Sequence, residues 1–535
     1  MSEFDLVITG AELVDGTGSK KRLADVAVAK NKIAAIAAPG ELSGHSSIDA
    51  RGQILSPGFV DIHSHADYTI LLDGRGHSSV LQGVTSLAVG NCGSGVAPVS
   101  ELSEDLVPMN AFGWRKDSEM PLVWRKFSDY IALLRDRGVG PNVFPFVAHG
   151  PLRLAVAGSD DRALTRSESI AMGNYLHEAM SAGAVGFSTG LEYSPGISAP
   201  QSELVELASA ARDFHGVYAT HCRNRSDAMD KAAEEAVTIA LAGNLRLQMS
   251  HFIKRPYASA DVAERSWRVL DSARDAGLSV FADVFPFDYG PTPLSVLIPP
   301  GLRASSRQEM ATRLREPKFR EQIFAGLGGM FEAAVKADMV RTMFVADDGA
   351  DSSMVGLSLA DVAKHRDSSA AEAAYWLLEN AGENFGCVTI VENWVRWDDL
   401  LSALADRRFL IMGDGVSGTL DGPGAGHQFA LADWGYAPRF LSQFVRDLKI
   451  VTLEDAIHRM TDLPAHQLGL SDRGSIEVGK AADLVVFDLA AIGTAVSPSR
   501  LKELPTGISH VLINGSAVVS NGRATNACPG VVGLH

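Results

Sequence analysis

Pro57-Gly58-Phe59-Val60-Asp61-Ile62-His63-Ser64-His65-Ala66-Asp67 is a turn, a short apolar run and a pair of histidines in direct succession. Side chains at i and i+2 of a strand share a face. A strand over 59–65 therefore turns His63 and His65 toward one point, where two imidazoles can grip one metal ion. With 15 His in 535 residues, chance alone supplies roughly 0.4 His-x-His pairs, so the spacing needs its context. That context is a buried-strand pattern with the ligands at its C-terminal end, where a (β/α)8 barrel gathers its chemistry.

Working outward, apolar runs at 84–89, 143–148, 185–188, 217–220, 246–250, 279–283, 387–391 and 409–412 read as further strands. Amphipathic stretches at 167–182, 201–214, 228–242 and 265–276 separate several of them. With 59–65 this makes nine candidates for eight places, so one belongs to an insertion. The fold class is α/β: a TIM-type metallo-barrel over 58–469, with a lid or insertion at 286–350 where the barrel period is lost. Short alternating strands before residue 57 and again near 473–488 and 510–515 are too few on either side to cover a core. The two ends are expected to pair into one small β-sandwich domain of 1–57 plus 470–535. The tail from 525 to 535 matches no pattern.

Lys+Arg 48 against Asp+Glu 64 gives a net charge of −16, which argues against nucleic-acid partners, since a phosphate backbone calls for clustered cations. No apolar run reaches the ~20 residues of a membrane span, and no signal peptide is seen. Four scattered cysteines do not form a disulfide framework, so a cytoplasmic location is expected. Self-association is left open.

Several runs end in a potential ligand: Asn91-Cys92-Gly93, Thr220-His221-Cys222-Arg223, Ser250-His251 and Gly413-Asp414-Gly415. Each has a bland reading as a packed thiol, a satisfied polar group or a turn. A barrel, however, brings its strand ends to one rim. Cys92, His221, His251 and Asp414 then join His63 and His65 as a zinc-type set of N, S and O donors. Arg223, two residues after His221, shares its face if the chain stays extended, and is a candidate for capturing a substrate carboxylate.

Taken together these motifs resemble the amidohydrolase superfamily and, within it, the D-aminoacylase (N-acyl-D-amino-acid deacylase) group. The resemblance runs from about residue 4 to 520 and includes Ala148-His149-Gly150-Pro151-Leu152-Arg153, the stretch 186–196 and the closing 474–488. Many amidohydrolases bridge two metals with a carboxylated lysine, but no Lys lies between Phe127 and Asp230. A thiolate at Cys92 can take its place, with Glu192 as the weaker rival. The resemblance implies a tight Zn2+ on Cys92, His221 and His251, and a second, weaker position framed by His63, His65 and Asp414. Tyr193 and Lys254 join Arg223 as substrate-binding candidates, although Lys254 sits three residues past His251 where the group has two. His149 and Arg153 are read as supporting or structural residues, and Cys222 as packing. After Asp414 a Gly-rich run to His427 replaces the His-Pro-Arg segment of the group.

The function implied is zinc-dependent removal of the acyl group from N-acyl-D-amino acids by a metal-bound hydroxide, with Asp414 as general base and then acid. The alternative is hydrolysis of another amide on the same site, either a cyclic amide or a bulky acylated natural product or toxin. A metal-dependent deaminase fits less well. A non-catalytic barrel scaffold is the remote reading, because such a relative would be expected to lose ligands.

Overall fold

The computed structural model describes residues 4–115, 120–160, 162–298, 302, 306–326, 339–350 and 352–534. Its centre is a barrel of eight parallel strands. In chain order they are Phe59–Asp61, Val84–Leu87, a third strand in two pieces (Asn142–Val143 and Val147–Ala148), Gly186–Gly190, Val217–His221, Arg246–Met249, Val280–Val284 and Phe409–Ile411. Neighbours pair in sequence. The ring closes beyond the last and first strands, where the Asp414 N–H donates to the His63 carbonyl at 2.9 Å and the His65 N–H to Gly415 at 2.7 Å. Pro145 interrupts the third strand because it has no N–H to give, and its carbonyl still accepts from Val185 at 3.0 Å.

Helices follow the strands as the apolar periodicity requires. Arg166–Ser181 is opened by Thr165, whose side chain accepts the Glu168 N–H in a capping box, and buries Met172, Leu176, Ala179 and Met180. Met229–Gly243 buries an alanine-rich stripe against its neighbours.

The ninth candidate strand lies outside the barrel. Thr389–Asn393 pairs antiparallel with both Tyr289–Pro293 and Phe344–Asp347, forming a three-stranded sheet between the seventh and eighth barrel strands. The insertion thus extends past the expected 286–350. Leu294, Met310, Leu314, Val345, Leu359, Leu377 and Leu378 belong to a core of its own. Residues 299–301, 303–305 and 327–338 of the expected lid lie outside the described residues.

Nine strands from the two ends of the chain form one hydrogen-bonded sheet rather than two separate sheets: eight follow one path, and Gly44–Asp49 branches off it to pair with Phe4–Leu13. Ile54–Pro57 pairs antiparallel with Leu484–Phe487 and joins the two contributions. The path curls back on itself where Lys32 bridges Ala481. Alternate residues divide between two cores: Leu484 and Val486 join Ile8, Leu13 and Val26, while Val485 and Phe487 face the barrel.

The tail is stitched to the barrel end opposite the ligands. Val143 N–H donates to Val531, Gly533 N–H to Val143 and Leu534 N–H to Gly183, each at 2.8 Å. Val532 is buried, and its carbonyl accepts the Arg135 guanidinium at 2.8 Å. Truncation after Pro529 is expected to cost about 2–4 kcal/mol in lost hydrogen bonds and apolar burial, measured by denaturant unfolding.

Candidate metal centre

The loops that leave the first, second and sixth strands, the last residue of the fifth strand and the turn after the eighth bring six side chains to one buried point. Cys92 Sγ lies 3.1 Å from His63 Nε2 and 3.5 Å from His251 Nε2. His221 Nδ1 is 3.1 Å from His251 Nε2. Asp414 Oδ1 is 3.1 Å from His65 Nε2 and 3.3 Å from His63 Nε2. Three overlapping trios have their ligand atoms within 4.8 Å of one another: His63, His65 and Cys92; Cys92, His221 and His251; His63, His251 and Asp414. Adjacent ligands of a tetrahedral zinc, at ordinary Zn–N and Zn–S lengths, stand about 3.3–3.6 Å apart, so these separations fit the edges of a coordination shell.

The charges fit a dication as well. Burial alone would keep the Cys92 thiol protonated, but His63, His251 and His221 around it draw it well below the ordinary thiol value. Against the same burial, His63, His65 and His251 pull Asp414 down to about 2. Two anionic donors therefore face imidazoles at neutral pH. His251 is lowered to about 4 by burial and by the charges of Arg225 and His221, leaving it neutral as a ligand must be. Burial works against protonation of His65 too, yet Asp414 and Cys92 raise it to about 9; a cation would take the place of such protons.

The backbone that presents these groups is unusual. Cys92, His251 and Asp414 have φ of +53°, +35° and +52°, the left-handed region that costs a residue with a side chain about 1–2 kcal/mol. Neighbouring hydrogen bonds hold each turn. The Gly93 N–H donates to Ser188 Oγ at 3.1 Å, and the Ser188 hydroxyl donates to the Gly90 carbonyl. Asp283 accepts the His251 N–H at 2.5 Å. Asp61 accepts the N–H groups of Gly413 at 3.0 Å and His63 at 3.2 Å, and burial pushes its carboxyl up to about 7. A Cβ at Gly413 would meet Asp61 Oδ2 at 2.6 Å, and one at Gly415 would meet Asp433 Oδ1 at 2.4 Å, so both glycines around Asp414 are sterically required.

The remaining sequence candidates are placed as follows. Tyr193 stacks edge-on against His221 at 4.9 Å, and its hydroxyl donates to the Cys92 carbonyl at 2.8 Å. Glu192 stands outside the ligand cluster and does not bridge it. It accepts from His221 Nε2 at 2.8 Å, leaving Nδ1 free to face the site, the arrangement in which a carboxylate fixes the tautomer of a ligating His. Lys254 pairs with Asp399 at 2.8 Å.

Arg223 corrects the sequence reading. The fifth strand stops at His221 and the chain turns, so the alternation that aligned Arg223 with His221 no longer applies. Its guanidinium is held by Glu235 at 3.0 Å and by the carbonyls of Ile197 and Ala199 at 3.0 and 2.8 Å. His149 and Arg153 form a buried knot with Glu203, at 2.9 and 3.2 Å. Cys222 is buried and its thiol pushed up to about 12 by that burial, as packing requires.

The first part of the run 415–427 is buried and tied down through the Val416 N–H on Asp433, the Ser417 N–H on Thr69, the Gly418 N–H on Ser78 and the Leu420 N–H on His77, while 420–423 are exposed. His427 is buried beside Tyr68, 6.4 Å between rings. Sequence reasoning missed three aromatic neighbours of the ligands. Phe112 and Phe429 lie 4.4 and 5.7 Å from the His65 ring, and Trp394 of the insertion lies 6.4 Å from His251.

A barrel with this rim defines a metal-binding hydrolase architecture, and comparison with known proteins agrees. The chain belongs to the amidohydrolase family, whose model matches residues 47–313 and 403–519 and skips most of the insertion. It is 30% identical to the N-acyl-D-glutamate deacylase of Alcaligenes xylosoxydans xylosoxydans, covering 96% of this chain and 94% of that protein. It is 28% identical to the D-aminoacylase of the same organism, again over 96% and 94%. The crystal structure of N-acyl-D-glutamate deacylase from Bordetella bronchiseptica, complexed with zinc and a phosphonate mimic of the tetrahedral intermediate, superposes with a TM-score of 0.80 over 100% of both chains at 27% identity. Among the described residues no helix is long and apolar enough to cross a membrane.

Proposed function

We propose that this protein is a metal-dependent amide hydrolase that removes the acyl group from N-acyl-D-amino acids. The observation that carries the reading is the convergence of a thiolate, four imidazoles and an ionised Asp on one barrel rim, in a chain that matches deacylases along its length. Zinc is the ion that suits this mixed sulfur and nitrogen set. Cys92, His221 and His251 would hold it tightly, and His63, His65 and Asp414 would frame a second, weaker position.

An ion held there would supply Lewis acidity toward the scissile carbonyl and would make the attacking water more acidic. Asp414 is the base: held near pKa 2 it is ionised throughout the neutral range, takes the proton of the attacking water and passes it to the nitrogen that leaves as an amine. Cys92 provides the negative charge that balances the cation, and Glu192 orients His221. Phe112 and Phe429, packed on His65, give the site an apolar side that suits an acyl chain and keeps a bulky aryl amide as the second reading.

The test is turnover by the zinc-loaded protein of matched N-acetyl-D- and N-acetyl-L-amino acids beside aryl and cyclic amides. Hydrolysis confined to D-enantiomers supports the proposal. Turnover of aryl or cyclic amides alone would replace it. Glu192→Gln is expected to weaken metal binding about 10- to 100-fold, measured by chelator competition, because the amide no longer holds His221 in one tautomer.

A further inference from the structure

The segment after Asp414 offers no cation: no Lys or Arg occurs from 415 to 438. Of the cations on the segments after the fifth and sixth strands, Arg223 and Lys254 are each committed to a carboxylate of their own. Arg225 and Arg255 differ, since the two guanidinium groups share the single carboxylate Glu192, at 3.4 and 3.1 Å. One positive charge is left over beside His221 and His251.

Arg225 is 4% exposed, and its Nε is buried without a hydrogen-bond partner. Its Nη1 lies 3.1 Å from His251 Nδ1, and its guanidinium carbon is 5.7 Å from the centre of the Trp394 ring. Nη1 also donates to the His251 carbonyl at 3.4 Å, so the unsatisfied donor of this guanidinium is its Nε. A buried Nε without a partner, on a guanidinium that shares its carboxylate with a second arginine, is what is needed to accept a further carboxylate.

We infer that Arg225, assisted by Arg255, receives the free carboxylate of the substrate and makes the enzyme selective for N-acyl amino acids over neutral amides. The inference rests on the deacylase reading for the identity of that carboxylate. Arg225 then sets which amides bind, and the ligand cluster does the chemistry.

The experiment uses zinc-loaded enzyme and a pair of hydrolysis-resistant probes, N-methanesulfonyl-D-leucine and its carboxamide, with binding followed by calorimetry and metal content determined on the same samples. The wild type is expected to prefer the acid by at least about 50-fold. Arg225→Met is expected to erase that preference while binding of the carboxamide changes less than about threefold and metal content is unchanged. Arg225→Lys, which keeps the charge and loses the fork, is expected to retain part of the preference, about tenfold below wild type, and serves if the Met variant does not fold. A wild type without preference for the acid, or variants that lose acid and carboxamide equally, would overturn the role of Arg225. Parallel turnover assays separate the two ideas: a wild type that prefers the acid probe but hydrolyses no N-acyl-D-amino acid leaves Arg225 in place and removes the deacylase reading.

Discussion

Cys92→Ala is expected to lose tightly bound metal and amide hydrolysis together, with activity at least about 1,000-fold below wild type and less than one equivalent of zinc after dialysis. The cause is electrostatic as much as steric. Cys92 is one of the two anions in the cluster, and its sulfur lies 3.1 Å from His63 Nε2 and 3.5 Å from His251 Nε2. Without it the remaining trio of His63, His251 and Asp414 has to hold a dication with one formal negative charge. The several kcal/mol of transition-state stabilisation that a metal gives an acyl-transfer reaction disappears with the ion. Metal analysis beside initial rates checks both halves, and retained zinc with normal turnover would remove Cys92 from the ligand set.

Asp414→Asn is expected to separate binding from chemistry. The amide is nearly isosteric and keeps an oxygen toward His65, so the fold and most of the metal at the Cys92, His221 and His251 position should survive. The amide cannot accept a proton, however, and kcat should fall about 100- to 10,000-fold, the range for loss of a general base. KM for a good N-acyl-D-amino acid should change far less. A variant that keeps wild-type kcat would leave Asp414 as a ligand only and place the base elsewhere.

The barrel could be read in the sequence because each of its strands is an apolar run and the runs at the ligand positions finish in a residue with a lone pair. Alternation over an expected strand of 59–65 pointed to His63 and His65, but the strand ends at Asp61; beyond it the Ser64 bridge to Gly415 holds the two histidines at the rim. The insertion sheet was hidden because Tyr289–Pro293 carries two prolines, which argue against a strand; it is tolerated at an edge, where Thr389–Asn393 is its one partner. Arg225 was hidden for a related reason. Alternation was carried two residues past His221, where the chain has already turned and parity is lost. The structure of the Gly-rich run after Asp414 was not legible, because composition reports backbone freedom and says nothing of the Asp433, Thr69, Ser78 and His77 side chains that restrict 416–420. Tail residues 531–534 gave no periodic signal because they act through their carbonyl and N–H groups, and any sequence can supply those.

The junction between Ile54–Pro57 and Leu484–Phe487 bears on the order in which the protein is made. During synthesis the first terminal strands emerge with an unpaired edge, and their partner follows only after the entire barrel and its insertion have left the ribosome. At about 5–20 residues per second that interval lasts some tens of seconds, long enough for an open sheet edge to recruit a neighbouring nascent chain. Production of this enzyme should therefore be limited by protection of its amino-terminal strands during translation, and slower growth or added holdase chaperone should raise the soluble yield without altering the specific activity of what folds.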